Sequence, residues 1–117
     1  VKGRDDAGFA TVFAALAMLG LLAVTVLVVQ FGAVVAARHR AQSAADLAAL
    51  AAAGALVDGT ADACRRATAI ADRMGVHTRS CVVADWDAVV TVDTAVAFAA
   101  FGTRQVQAVA RAGPVSE

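Results

Sequence analysis

Between Asp6 and Arg38 the chain runs for 31 residues without a charge, "AGFATVFAALAMLGLLAVTVLVVQFGAVVAA". As a helix rising 1.5 Å per residue this run reaches about 47 Å, beyond the roughly 30 Å of a bilayer's hydrocarbon core. It is about twice the 7 to 15 apolar residues of a secretory signal peptide. A retained membrane helix is the leading reading. A signal removed at one of the many Ala-x-Ala sequences and a helix buried in a soluble bundle are the alternatives. Thr11, Thr25 and Gln30 are its clearly polar residues, and each can bond within the helix or to a neighbour. Gly20, Gly32 and Ala36 are candidate helix-packing positions. Gly32 and Ala36, like Ala10 and Ala14, stand at small-xxx-small spacing.

With that run assigned to lipid, fewer than about 80 of the 117 residues remain to fold in water, a size that favours a covalent staple. Apolar residues make up 60% of the chain, and the excess is alanine and valine rather than aromatics. After the run, eight Arg face seven Asp and one Glu, with no basic stripe, so nucleic acid is not an expected partner. One Lys, no Asn and no Tyr in an Ala, Arg, Gly and Val-rich chain is the usage of GC-rich codons. Val1 then reads as a GTG start, and the chain as an unprocessed product.

Charge gives poor guidance on orientation: Lys2 and Arg4 are offset by Asp5 and Asp6, while Arg38, His39 and Arg40 follow the run. The two cysteines, Cys64 and Cys81, both lie beyond it. In an extracytoplasmic domain an even pair reads as one disulfide, and closing a loop of about 17 residues contributes on the order of 3 kcal/mol. Two buried free thiols in a cytoplasmic domain are the alternative. His77 with two sulfurs is too small a set for a metal site.

Beyond Arg40, "AQSAADLAALAAAGALVDG" continues as helix to about Leu56, with Leu47, Leu50 and Leu56 among alanines and Gln42, Ser43 and Asp46 opposite. "DGT" is a turn in which Asp58 or Thr60 caps a second helix, "ADACRRATAIADRM", closed at Gly75. Cys64, Ala67, Ile70, Ala71 and Met74 form its apolar face, and Arg65, Arg66, Asp72 and Arg73 its solvated one. The period then changes to two. "VHTRSCVVA" places His77, Arg79, Cys81 and Val83 on one face, and Val76, Thr78, Ser80 and Val82 on the other. "DWD" is a turn, with Trp86 placed to fold back on the sheet. "AVVTVDTAVAF" gathers Val90, Val92, Thr94, Val96 and Phe98, and "GTRQVQAVARAGP" is a third alternating run ended by Gly113 and Pro114.

The expected fold is α+β: a long N-terminal transmembrane helix extending into a head of one short helix and a three-stranded antiparallel sheet. The expected divisions are residues 1–7 as N-terminus, 8–37 as membrane helix, 38–57 as its continuation and 58–117 as the head.

Nothing in the chain reads as catalytic machinery. It has no phosphate-binding glycine loop and no nucleophile elbow, and His39 and His77 lack carboxylate partners at ligand spacing. Asp85 and Asp87 flank Trp86, but two carboxylates are too few to hold Ca²⁺. No enzyme, metal, cofactor or small-molecule substrate is expected.

"DDAGFATV" leading into the apolar run, "RHRAQSAADLAALAAA" at its exit, the "AC" of the second helix answered by a strand cysteine, and the closing "VARAGP" together resemble the TadE-like family, in its short branch encoded beside Tad-type pilus and secretion genes. The resemblance implies a minor pilin-like subunit of a Flp/Tad pilus or secretion machine, with N-terminus inside and head outside. It implies the membrane, other pilin-like subunits and the Tad machinery as partners. It also implies prepilin-type cleavage between Gly8 and Phe9; a helix-start glycine is the other reading of Gly8. The fifth residue after that site is Phe13, where such proteins commonly carry Glu, so the carboxylate that would compensate a neighbour's N-terminal amine is missing. Two other classes fit the same residues. One is a membrane-anchored binding or sensor module using Trp86, Phe98 and Phe101; the other is an exported soluble effector freed of its apolar run.

Overall fold

A computed structural model describes residues 2–98 and 102–115, with side chains from Asp6 onward. Phe101 and the side chains of Lys2, Arg4 and Asp5 lie outside the described residues. Helix α1 spans Lys2–Gly54, a 3-10 turn follows at Leu56–Asp58, and α2 spans Thr60–Arg73. Strands β1 (His77–Ala84), β2 (Asp87–Phe98) and β3 (Gly102–Ala112) complete an α+β chain. The sheet is an antiparallel meander in the order β1-β2-β3. Two compact units divide the chain at residue 33/34, so that α1 contributes to both.

In the second unit, Val34–Glu117, the C-terminal part of α1 is core. Ala41, Ala44, Ala45, Ala48, Ala49 and Ala52 are buried at helical spacing, with Ala55 just past the helix end. They share one cluster with Ala63, Ala67 and Ala71 of α2 and with Val76, Ala88, Val90, Val92, Ala108 and Ala110. The largest fully buried side chains are valines. Burying hydrocarbon contributes about 0.8 kcal/mol per CH₂, so an alanine-valine core is a weak one per residue. Small side chains offset this by letting helix and sheet backbones approach closely. The leucines of this stretch are largely outside the core: Leu47 and Leu50 are 48% and 61% exposed, and of the three only Leu56 packs against it. A leucine in the alanine rows would hold the helix away from the sheet.

Helix α2 begins without either expected cap. Gly59, at φ +112°, is the N-cap and makes no side-chain bond, its carbonyl accepting from Ala63 N–H at 3.0 Å. The 3-10 turn shifts Asp58 out of capping position; its carboxylate lies 4.0 Å from Arg66. The C-terminus closes as expected around Gly75. At φ +74°, Gly75 donates to Asp72 O (3.0 Å) while Val76 donates to Ala71 O (3.1 Å). This paired arrangement is a Schellman motif, and its two apolar ends, Ala71 and Val76, are both buried.

The faces of β1 depart from simple alternation. Thr78 pairs with Val92 and Ser80 with Thr91, so Arg79 forms a bulge. The extra residue shifts parity by one. Thr78 therefore faces the core side with Cys81 and Val83, while Arg79 leaves that group and its guanidinium lies 3.4 Å from the Asp93 carboxylate on the solvated face. On β2 the inner face is as expected: Ala88, Val90, Val92 and Val96 are buried, and Thr94 and Phe98 are half-buried.

Candidate membrane anchor and surface sites

The described residues of the first unit, Val1–Ala33, all belong to α1. Its apolar side chains face outward on every side: Phe9 is 73% exposed and Phe31 71%, with Phe13, Leu16, Leu22, Val26 and Leu27 also exposed. A helix apolar all round has no wet face to offer. Its hydroxyls are satisfied internally. Thr11 Oγ1 donates to Ala7 O and Thr25 Oγ1 to Leu21 O, each at 2.9 Å. Backbone and hydroxyl groups bonded within the segment are what a hydrocarbon medium demands. This helix is long and apolar enough to cross a membrane.

Gly8, Gly20 and Gly32 lie on this helix, and a Cβ added at any of them would meet nothing within 4 Å. Ala36 is likewise exposed. Within one chain these positions pack against nothing.

Cys64 of α2 and Cys81 of β1 are bonded, with Cα atoms 5.8 Å apart. The bond ties the second helix to the edge strand of the sheet, where α2 makes its main strand contact. At the far end of that strand, Asp85 takes the positive φ (56°) of a two-residue hairpin, a conformation Asp tolerates. Trp86 does not fold back on the sheet; it is 61% exposed. Asp87 is engaged from β3 by Arg111, whose Nε donates to Oδ2 at 2.8 Å. Gly113 sits against the same carboxylate, where a Cβ would meet Asp87 Cγ at 2.8 Å and Trp86 O at 3.1 Å. The closing "ARAG" is thus a lock on the first hairpin: a cation for Asp87, and a glycine because no side chain fits beside it. In the sequence alone Gly113 marks only the end of a strand. An Asp and an Arg 24 residues apart in the chain carry no local signal.

Where the uncharged run ends, Val35, Arg38, His39 and Gln42 of α1 and Gln107 of β3 line an open cleft of about 300 Å³. Gln42 Nε2 donates to Asp46 Oδ1 (3.1 Å) and to the Val109 carbonyl (3.4 Å), linking helix to strand. No local pattern in the sequence marks this cleft, because it joins residues about 67 positions apart. Among the described residues no His, Cys, Asp or Glu group is arranged to hold a metal. No charged side chain there is buried.

The chain thus has a helix long and apolar enough to cross a membrane and a small disulfide-bonded α+β unit, and comparison with known proteins bears on the first. Residues 8–55 match the family described as "Putative Flp pilus-assembly TadE/G-like", so this segment is TadE/G-like, in line with the resemblance read from the sequence. That family is generally structural rather than enzymatic. The chain is also similar to a protein named "Apoptosis inhibitor Rv3654c" from Mycobacterium tuberculosis (strain ATCC 25618 / H37Rv), 58% identical over 53 residues. The match covers 45% of this chain and 63% of that relative's length. No solved structure matches.

Proposed function

We propose that this chain is a minor pilin-like accessory subunit of a Flp/Tad-type pilus or secretion system, anchored by residues 8–37 with its disulfide-bonded unit on the extracytoplasmic side. The observation that carries the reading is that the TadE/G-like segment is a helix whose large side chains all point outward. Such a helix serves equally in lipid or against the helices of other subunits, since both are apolar surroundings. The Cys64–Cys81 bond supports the orientation, because disulfides persist in oxidising compartments. Open glycine and alanine positions at Gly20, Gly32 and Ala36 supply surfaces on which a neighbouring helix can pack.

Photo-crosslinking in cells from the lipid-embedded half tests this. Pilin-like partners give a ladder of products, and a chain that crosslinks to lipid alone excludes the subunit role. Mass spectrometry of the mature N-terminus decides processing: a start at Phe9 means that a prepilin-type peptidase acts despite Phe13. The name of the mycobacterial relative favours a second reading, in which this chain acts as an apoptosis inhibitor. A soluble form in the culture medium beginning near Arg38 supports that reading and removes the anchored one.

A further inference from the structure

Among the described residues four arginines are ion-paired: Arg65 with Asp62, Arg66 with Asp58, Arg79 with Asp93 and Arg111 with Asp87. Arg38 is not one of them, and it lines the cleft of about 300 Å³ formed with Val35, His39, Gln42 and Gln107. All of these residues belong to the unit Val34–Glu117, so the cleft is a feature of that unit by itself.

The helix explains why Arg38 is left without a carboxylate. Arg38, Gln42 and Asp46 recur at four-residue spacing on α1, one above another on a single face. The position that would hold an acid for Arg38 holds an amide, and that amide occupies the acid one turn further on. Gln42 Nε2 donates to Asp46 Oδ1 at 3.1 Å and to the Val109 carbonyl at 3.4 Å. Both partners are acceptors, which fixes the orientation of the amide. Its Oε1 is left as an acceptor that no donor among the described residues engages.

The lining therefore offers two kinds of group side by side. Arg38 supplies a planar cation that matches two oxygens of one phosphate, and His39 adds a ring N–H. None of the lining residues is acidic, so nothing in the cleft repels an anion. Gln42 supplies an acceptor, Gln107 both donors and an acceptor, and Val35 an apolar wall. An anion without hydroxyls satisfies the first pair and leaves the amides unmatched; a neutral polyol does the reverse. The volume stands at the lower end of small-molecule sites.

We propose that this cleft is a binding site for a polyol phosphate, its phosphate held by Arg38 and His39 and its hydroxyls by Gln42 Oε1 and Gln107. A free polyol phosphate and a phosphoglycerol lipid headgroup present the same groups. The site goes beyond the subunit role and stands independently of it.

The test uses the full chain, nitrogen-labelled for NMR, in micelles of a polyoxyethylene detergent, which brings neither charge nor sugar. It is titrated separately with glycerol 1-phosphate, with dihexanoyl phosphatidylglycerol and with sodium sulfate, and the side-chain amide resonances of Gln42 and Gln107 report binding. The expected result is a saturable shift with at least one of the two phosphates, at a Kd well below that for sulfate. Arg38→Gln raises that Kd about tenfold or more, whereas Arg40→Gln, which removes a neighbouring charge outside the cleft, leaves it nearly unchanged. Both arginines are exposed, and retention of the disulfide with an unchanged urea midpoint verifies the fold of each variant. Saturation by glycerol 1-phosphate assigns the site to a free ligand, and saturation by the lipid alone assigns it to a headgroup carrying its acyl chains. The proposal is overturned if neither phosphate saturates the shifts, if sulfate binds as tightly, or if the two arginine variants lose binding equally.

Discussion

The two units of this chain use apolar residues in opposite ways. Through Ala33, phenylalanine, leucine and valine all point outward; beyond Val34 the interior is built from alanine with a few valines. The large side chains that a soluble protein places in its core are here displayed on a helix, and the core is left with methyl groups. Hydrophobicity in this molecule is therefore divided between a helix long and apolar enough to cross a membrane and the close packing of backbones, and the first takes most of the bulk. A core so thin depends on something other than buried volume. The Cys64–Cys81 bond and the alanine rows that bring α1 close to the sheet are what it has.

That contrast can be broken at either end. The largest effect is expected from Leu22→Arg, near the middle of the uncharged run, where a charge costs about 2.5–3.5 kcal/mol for membrane insertion. The measurement is the share of full-length chain that stays with membranes after carbonate extraction, and an unchanged share would show that this helix is not held by hydrocarbon. Next is Cys64→Ser with Cys81→Ser, expected to destabilise the folded unit by about 3 kcal/mol, read from urea unfolding of the detergent-solubilised chain. A loss well under that would mean the alanine core is more self-sufficient than its volume suggests.

A pair of substitutions sharpens the comparison within α1 itself. Ala48→Leu, placed in the buried row, is expected to cost about 1–3 kcal/mol by overpacking. Leu50→Ala, two residues on but exposed, should change folding stability by no more than about 0.5 kcal/mol. If the larger loss instead followed Leu50→Ala, the assignment of faces would be reversed. At the low end of the Ala48→Leu range is Gly75→Ala, which forces a side chain into φ +74° and is expected to cost roughly 1 kcal/mol, seen as a lower urea midpoint.

Much of the architecture was legible because it follows local periodicity. The uncharged run, the switch from helical to alternating pattern after Gly75, and the turns at "DGT" and "DWD" all mark element ends that the structure reproduces. Faces were harder. Leucine outranks alanine on any hydrophobicity count, yet Leu47 and Leu50 are exposed and the alanines beside them are buried. The β1 bulge at Arg79 reverses parity after Thr78, and a one-residue insertion of this kind leaves no trace in an otherwise regular alternation. Asp58 and Thr60 were reasonable caps until the 3-10 turn handed that position to Gly59. The cleft at Arg38 and Gln107, and the Asp87, Arg111 and Gly113 lock, join residues far apart in the chain.

By itself the sequence determined the elements and the unbroken apolar character of the first helix, because charge spacing and residue period act over a few neighbours and need no partner. Only the tertiary structure decided which helix face is core and which β1 residues look inward. Those depend on how closely two backbones approach and on strand register, which are set by contacts between distant residues.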